Sequence, residues 1–290
     1  MPIRCMLVQT KDVEFIDSLL QRTSNHMSLL DRTIETELAL YSKSSFYEPI
    51  RYAIKDGKRI RPLILLLSTE SVGGSIEEAL RPAVAVELLH TESIIHDDII
   101  DNESSRRSKA AFHVKYGYNA SLLTADFVFG IILDIAATTN NFKVAQEISS
   151  AALKMCEGEF SETEIDTRQH NLTWDEYILL ISRKTASLFQ AAARIGAIVG
   201  HGNKEEIRAL SDYGLNIGIA YQIQDDTIDW GEKGKATAAL NINKPNVFGY
   251  LAKMAQSYAT IAKDSLKNLT DSQSKNMLLE IAEFAIHRSY

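Results

Sequence analysis

Cysteine, proline and glycine are scarce in this chain. Two cysteines, Cys5 and Cys156, stand in 290 residues without a Cys-x-x-Cys spacing. That argues against a disulfide framework and a cysteine zinc centre, and for a reducing, cytoplasmic setting. A basic excess is missing too: Lys+Arg total 31 against Asp+Glu 38, a net charge of -7. No nucleic-acid partner is therefore expected, and an anionic ligand would need a local basic cluster. Long hydrophobic runs are also absent. The greasiest stretches, Pro62 to Leu67 and Phe127 to Ala137, fall short of a membrane span, and Asp134 interrupts the second. No integral membrane segment is expected, and Met1 to Asp12 is too weakly apolar for a signal peptide. What is present, 45% hydrophobic and 24% charged residues, is the balance of a soluble globular protein with ample core, read here as a single domain over 1–290.

Five prolines and fourteen glycines leave long stretches in which apolar residues recur at three- and four-residue spacing, and strand alternation is almost absent. The fold class is all-α. The periodicity predicts helices over Asp31–Tyr41, Tyr47–Lys55, Arg61–Val72, Ile76–Asp101, Ala120–Ala137, Val144–Arg168, Thr173–Ser182, Ala186–Val199, Lys204–Trp230, Val247–Leu269 and Asp271–Ile286. Turn chemistry falls between them at Gly73-Gly74, Asn140-Asn141 and Gly200-His201-Gly202-Asn203.

One carboxylate pattern occurs twice. His96-Asp97-Asp98-Ile99-Ile100-Asp101 puts Asp97 and Asp101 on one helical face with Asp98 beside them, and Asp225, Asp226 and Asp229 repeat the spacing. Acids at i, i+4 repel, so each patch calls for a cation. Magnesium suits them, because it takes a few carboxylate oxygens, keeps water and completes its shell from substrate phosphates. One such patch is as readily a solvated acidic helix end; two matching copies after apolar helices weigh against that. Arg106-Arg107 follow the first patch, and Lys58, Arg59 and Arg61 precede Pro62. Arginine forks bind phosphate in bidentate fashion, so both clusters are candidate diphosphate sites.

Five segments in order, Gly57-Lys58-Arg59-Ile60-Arg61-Pro62, Leu88-Leu89-His90, the first Asp motif with Arg106-Arg107, Lys184-Thr185, and Tyr221-Gln222-Ile223-Gln224-Asp225-Asp226-Thr227-Ile228-Asp229, closely resemble the trans-isoprenyl diphosphate synthase family. The resemblance runs from about Tyr47 to about Lys244. It implies an isoprenoid synthase-type bundle of antiparallel helices around a deep central cavity, assembled as a homodimer. It implies a prenyltransferase that joins isopentenyl diphosphate to an allylic diphosphate (dimethylallyl, geranyl or farnesyl). It also implies magnesium, about three ions with substrate bound, held by Asp97, Asp98 and Asp101 from one wall and Asp225, Asp226 and Asp229 from the other. Lys58, Arg61, His90 and Arg107 would bind isopentenyl diphosphate. Arg106, Lys184, Thr185, Gln222, Lys235 and Lys244 would surround the allylic diphosphate, with Arg106 and Lys184 also acting in catalysis.

Geranylgeranyl diphosphate is the first choice of product, with farnesyl and longer polyprenyl diphosphates open. The floor of the cavity is expected just before the first Asp motif, where Glu92 stands at a position often aromatic in the family; a bare carboxylate facing hydrocarbon is costly unless paired or protonated. Leu122, Leu123, Phe127, Phe129, Ile132, Phe189 and Ile195 are candidates either for the cavity lining or for ordinary core. The loop at Ala239-Leu240-Asn241-Ile242-Asn243-Lys244 keeps the family lysine but lacks its aspartate and glycine, which bears on lid closure. A terpene cyclase and a non-catalytic partner subunit are the competing readings; the second Asp motif counts against the first, and the completeness of both motifs against the second.

Overall fold

The structure, a computed structural model, describes residues 3–168, 172–228, 240 and 247–287. Twelve α-helices are present among the described residues: α1 (Ile3–Ala39), α2 (Tyr47–Ile54), α3 (Ile60–Ser71), α4 (Ile76–Ile100), α5 (Phe112–Tyr116), α6 (Tyr118–Thr138), α7 (Phe142–Arg168), α8 (Trp174–Ile181), α9 (Ser187–Val199), α10 (Lys204–Ile228), α11 (Val247–Ser265) and α12 (Gln273–His287). A π-helical turn, Ser182–Ala186, joins α8 to α9. The two strands described, β1 (Ser105–Arg106) and β2 (Lys109–Ala110), form a minimal antiparallel hairpin between α4 and α5.

Local chemistry explains the boundaries. Thr173 Oγ1 accepts from the Glu176 amide at 3.3 Å while the Glu176 carboxylate accepts from the Thr173 amide at 2.8 Å, a capping box that starts α8. Asn203 starts α10 by accepting from the amides of Glu205 and Glu206 at 2.9 and 3.0 Å. Gly73, at φ +86°, lets the chain leave α3 in a conformation that costs other residues strain.

α3 is the centre of the molecule. From Pro62 to Thr69 every residue is buried, so it cannot be an amphipathic surface helix and must be enclosed by others. α9 comes closest: a Cβ on Gly196 would lie 2.2 Å from the Leu65 carbonyl oxygen, and Thr69 Oγ1 donates to the Gly196 carbonyl at 3.0 Å. α4 packs on the other side of α3, with Ala79, Ala83, Val84, Leu88 and Leu89 in the same core as Leu65 and Leu66.

Several expectations need correction. The first helix begins at Ile3 rather than Asp31 and ends at Ala39; Leu19 and Leu30 are buried, and Arg22 is ion-paired with Glu280 of α12. α5 and the hairpin were not foreseen, because five- and two-residue elements carry no period to read. α11 stops at Ser265, short of Leu269. Among the described residues, the 21-residue α6, which contains Phe127 to Ala137, is the one helix long and apolar enough by composition to cross a membrane, a test that a core helix of a bundle also passes. Its buried face, including Val128, Ile132 and Ile135, belongs to the main core.

Candidate active site

The first Asp motif ends α4. Asp97 and Asp101 stand one turn apart, and Asp97 reaches Glu159 of α7. Burial drives the Asp97 carboxyl up to about 8; Lys184 pulls it down, while Glu159 and Asp101 push it further up. Asp98 points the other way. It is 2% exposed, and its Oδ1 accepts from Arg106 Nε at 2.7 Å and Nη2 at 2.5 Å. A carboxylate enclosed with its own guanidinium already has its charge countered, which weighs against the ligand role expected of Asp98.

The hairpin that carries Arg106 turns at Arg107 and Ser108, both left-handed (φ +51° and +58°), as a two-residue turn of primed type requires. Neither is the Asn or Gly that this turn prefers, so the backbone carries strain. The turn carries Arg107, which has no ion pair among the described residues and donates to the Lys55 carbonyl at 3.4 Å. A pocket behind the hairpin is lined by Tyr52, Lys55, Ile95, Asp98, Arg107 and Phe112, among others.

Arg61 projects from the first turn of α3. Its Nη1 lies 3.1 Å from His90 Nε2, its guanidinium carbon sits 4.5 Å from the centre of the Phe189 ring, and its buried Nε has no partner among the described residues. Burial lowers the Arg61 pKa despite Tyr221, Glu87 and Asp225 nearby. Burial also takes His90 well below the ordinary histidine range, reinforced by Arg61, Arg107, Arg106 and Arg59. His90 is therefore neutral, with Nε2 accepting from Arg61. The four arginines around this neutral imidazole make a local basic cluster, although Arg106 is paired with Asp98. Arg59 is paired too: its Nη1 donates to Glu87 at 2.5 Å and holds that buried acid. Lys58 is exposed beside them.

The second wall is α10. Asp226 is buried; it accepts from the Tyr177 hydroxyl at 2.5 Å and from Gln222 Nε2 at 2.8 Å, while burial raises its carboxyl to about 6. Like Asp98, it is consumed by protein partners. Asp225 is half-buried and within electrostatic range of Arg61 and Tyr177. Asp229, Lys235 and Lys244 lie outside the described residues, as does most of the loop from Gly231.

The π-turn links the walls. Lys184 Nζ sits 2.6 Å from Glu159 and 2.5 Å from Glu162, both on α7; burial pulls its pKa down, but Glu162, Asp97 and Glu159 outweigh this and hold it well above the ordinary lysine value. Next to it, Thr185 Oγ1 donates to Gln222 Oε1 at 2.8 Å. One residue of the turn thus addresses the α4 wall and its neighbour the α10 wall.

This donor set suits a hard divalent cation: it offers only oxygens, and Asp97 is crowded by like charges that a cation would relieve. Asp97, Asp101 and Asp225 are the carboxylates that could hold it. No three acids converge at metal-holding distance among the described residues, so a cation here would complete its shell with water and substrate oxygens.

The polyprenyl synthetase family model matches residues 43–276 of this chain. The chain belongs to that family. It is a trans-isoprenyl diphosphate synthase, and the isoprenoid synthase fold expected of it is present. It is 30% identical to the geranylgeranyl diphosphate synthase of Methanosarcina mazei over 94% of the chain and 99% of that protein. The geranylgeranyl pyrophosphate synthetase of Pyrococcus horikoshii superposes with a TM-score of 0.84 at 29% identity, over 94% of this chain and 99% of that one. A polyprenyl synthase of Caulobacter crescentus, solved with calcium and isoprenyl diphosphate, gives 0.82 at 26% identity, over 94% and 98%.

Four partners in the synthase's site escaped the sequence reading: Glu87, Glu159, Glu162 and Tyr177. Glu159 and Glu162 follow Gly158 at helical spacing, a weak cue; Glu87 and Tyr177 sit in apolar stretches without any motif. The apolar candidates divide. Ile132, Phe189 and Ile195 are core, Leu123 and Phe129 face solvent, and Phe127 stacks on Phe46 at 4.6 Å between ring centres. Glu92 is not bare: its carboxylate lies 3.1 Å from His96 Nδ1, and that hydrogen bond raises the histidine's pKa.

Proposed function

We propose that this synthase adds isopentenyl diphosphate to an allylic diphosphate with magnesium as its metal, and that its product is geranylgeranyl diphosphate. The observation that carries the reading is a pair of cationic pockets flanking the acidic walls. Arg61, His90 and Arg107, with Lys58 at the edge, would take one diphosphate; Lys184, Thr185 and Gln222, with Arg106 on the α4 side, would take the other. Two diphosphates held apart in fixed orientation convert a bimolecular encounter into an aligned attack. Bound magnesium, held by Asp97, Asp101 and Asp225, would neutralise charge on the departing diphosphate. Lys184 and Arg106 add fixed positive charge at the same oxygen, which stabilises a leaving group that takes on charge as the allylic bond breaks. His90, neutral and hydrogen-bonded to Arg61, keeps that guanidinium aimed at the isopentenyl diphosphate. The core faces around the site exclude water that would trap the allylic cation.

The product choice follows the geranylgeranyl diphosphate synthases to which the chain is similar. The Glu92–His96 pair supports a polar stop on the α4 side, where an aromatic residue is common in the family. We further propose one domain, a cytoplasmic location and a homodimer. Leu123, Phe129 and Leu133 on α6 and Leu153 and Phe160 on α7 are exposed apolar residues, and a second copy of the chain would cover them.

Incubating the purified protein with labelled isopentenyl diphosphate and dimethylallyl, geranyl or farnesyl diphosphate, with magnesium or excess chelator, tests the proposal. A magnesium-dependent twenty-carbon product supports it; a shorter or longer product corrects its length. No product with any primer, from folded protein that binds diphosphate, sinks it in favour of a partner-subunit role. Leu133→Asp and Leu153→Asp should give monomers by sedimentation, and unchanged mass would reject the proposed interface.

A further inference from the structure

The π-turn is clamped between two glycines that no motif singled out. A Cβ on Gly158 of α7 would lie 2.4 Å from the Lys184 nitrogen and 2.7 Å from its Cα; a Cβ on Gly218 of α10 would lie 2.6 Å from the Ala186 Cα and 2.8 Å from its Cβ. Three of these four neighbours are backbone atoms, so no rotamer change makes room and the turn itself would have to move. The same approach sets the site's contacts. Gly158 adjoins Glu159 and precedes Glu162 by one turn, and both carboxylates hold Lys184. Gly218 lies one turn before Gln222, which accepts from Thr185. A π-turn departs from the regular α-helical ladder and is frequent at functional sites.

We infer that Gly158 and Gly218 are positioning residues: by pinning the Ser182–Ala186 turn from opposite sides they set where Lys184 and Thr185 stand relative to the allylic diphosphate. The inference rests on the proposed role of those two residues. Adding a methyl to either glycine pushes the turn by on the order of 1 Å, a displacement that can cost about a hundredfold in rate when it falls on a positioned group.

Steady-state kinetics of Gly158→Ala and Gly218→Ala, with the two substrates varied separately, test it. The expected result is a kcat lower by about a hundredfold and an allylic KM higher by about tenfold, with the isopentenyl KM within about twofold of the parent. Gly196→Ala is the control. It crowds an equally tight contact between α9 and α3 and should lower the melting temperature while leaving both KM values alone. Ala186→Gly loosens the clamp instead of crowding it, and carries the test if the alanine variants do not accumulate as folded protein; it should raise the allylic KM about threefold. Glycine variants that melt lower yet keep all kinetic constants, as the control does, overturn the clamp, and so does Ala186→Gly with an unchanged allylic KM. Lys184→Ala tells the two failures apart. If it weakens allylic binding while the clamp variants do not, only the clamp fails; if it leaves the allylic KM unchanged, the underlying role of Lys184 fails.

Discussion

On α4 the inward carboxylate, Asp98, is closed by a guanidinium that arrives from the hairpin; on α10 its counterpart, Asp226, is closed by the neutral donors Tyr177 and Gln222. Burial raises both acids. The first is countered by a full charge and the second by dipoles, which leaves Asp226 titrating at about 6. Two copies of one motif thus divide their labour in the same way. The middle acid is part of the frame, and the proposed cation falls to the outer acids, Asp97 and Asp101, or Asp225. The frames differ, however: the α4 wall is tied to a strained turn that displays Arg107, and the α10 wall to the buried side of α8.

The comparison can be broken most sharply by removing an outer acid. Asp97→Asn and Asp225→Asn should each lower kcat/KM by at least about a thousandfold and raise the magnesium needed for half-activity, read as product formed against magnesium concentration. Asp98→Asn, which strips Arg106 of its counter-charge, should cost about a hundredfold with little change in the magnesium requirement. Asp226→Asn should cost about tenfold. If either middle-acid variant shifted the magnesium requirement as far as Asp97→Asn does, the division between outer and middle acids would be wrong.

Stability against pH sharpens the same contrast. A carboxyl raised from 3.8 to about 6 favours the folded state below its unfolded pKa, and that contribution is lost as pH rises through about 6. Asp226→Asn should therefore flatten the fall in melting temperature between about pH 4 and pH 6, and at pH 7 melt about 2–4 °C higher than the parent; a lower melting point at pH 7 would contradict the burial cost. Smallest of all, Tyr177→Phe removes one donor to Asp226 and should cost about 1–2 kcal/mol of stability in denaturant melts, with kcat within about threefold.

The helical class, the order of the elements and both walls were legible because apolar periodicity and paired acids are local patterns. Which acid of each triplet faces the cleft was not. Spacing put Asp98 beside Asp97, but only the path of the chain after Asp101 brings Arg106 back onto it. Glu159 and Glu162 acquire meaning only once Lys184 is carried to them by a turn whose π geometry no period announces. The reading of the first helix starts only at Asp31 because Gln21 to Ser28 holds a single apolar residue, Met27, and breaks the periodicity; tertiary pairs, Arg22 with Glu280 and His26 with Glu70, tie that polar stretch to the bundle.

The enclosure of α3 has a consequence for how the molecule opens. A helix buried from Pro62 to Thr69 and walled by α4 and α9 offers no face from which water can reach its amides unless its neighbours part. In native-state hydrogen exchange its amide protons should be among the last to be replaced, at rates governed by global unfolding, while the Arg107–Ser108 turn exchanges through local fluctuation. The arginine that projects from the first turn of that helix, Arg61, thus stands at the edge of the slowest-opening part of the protein.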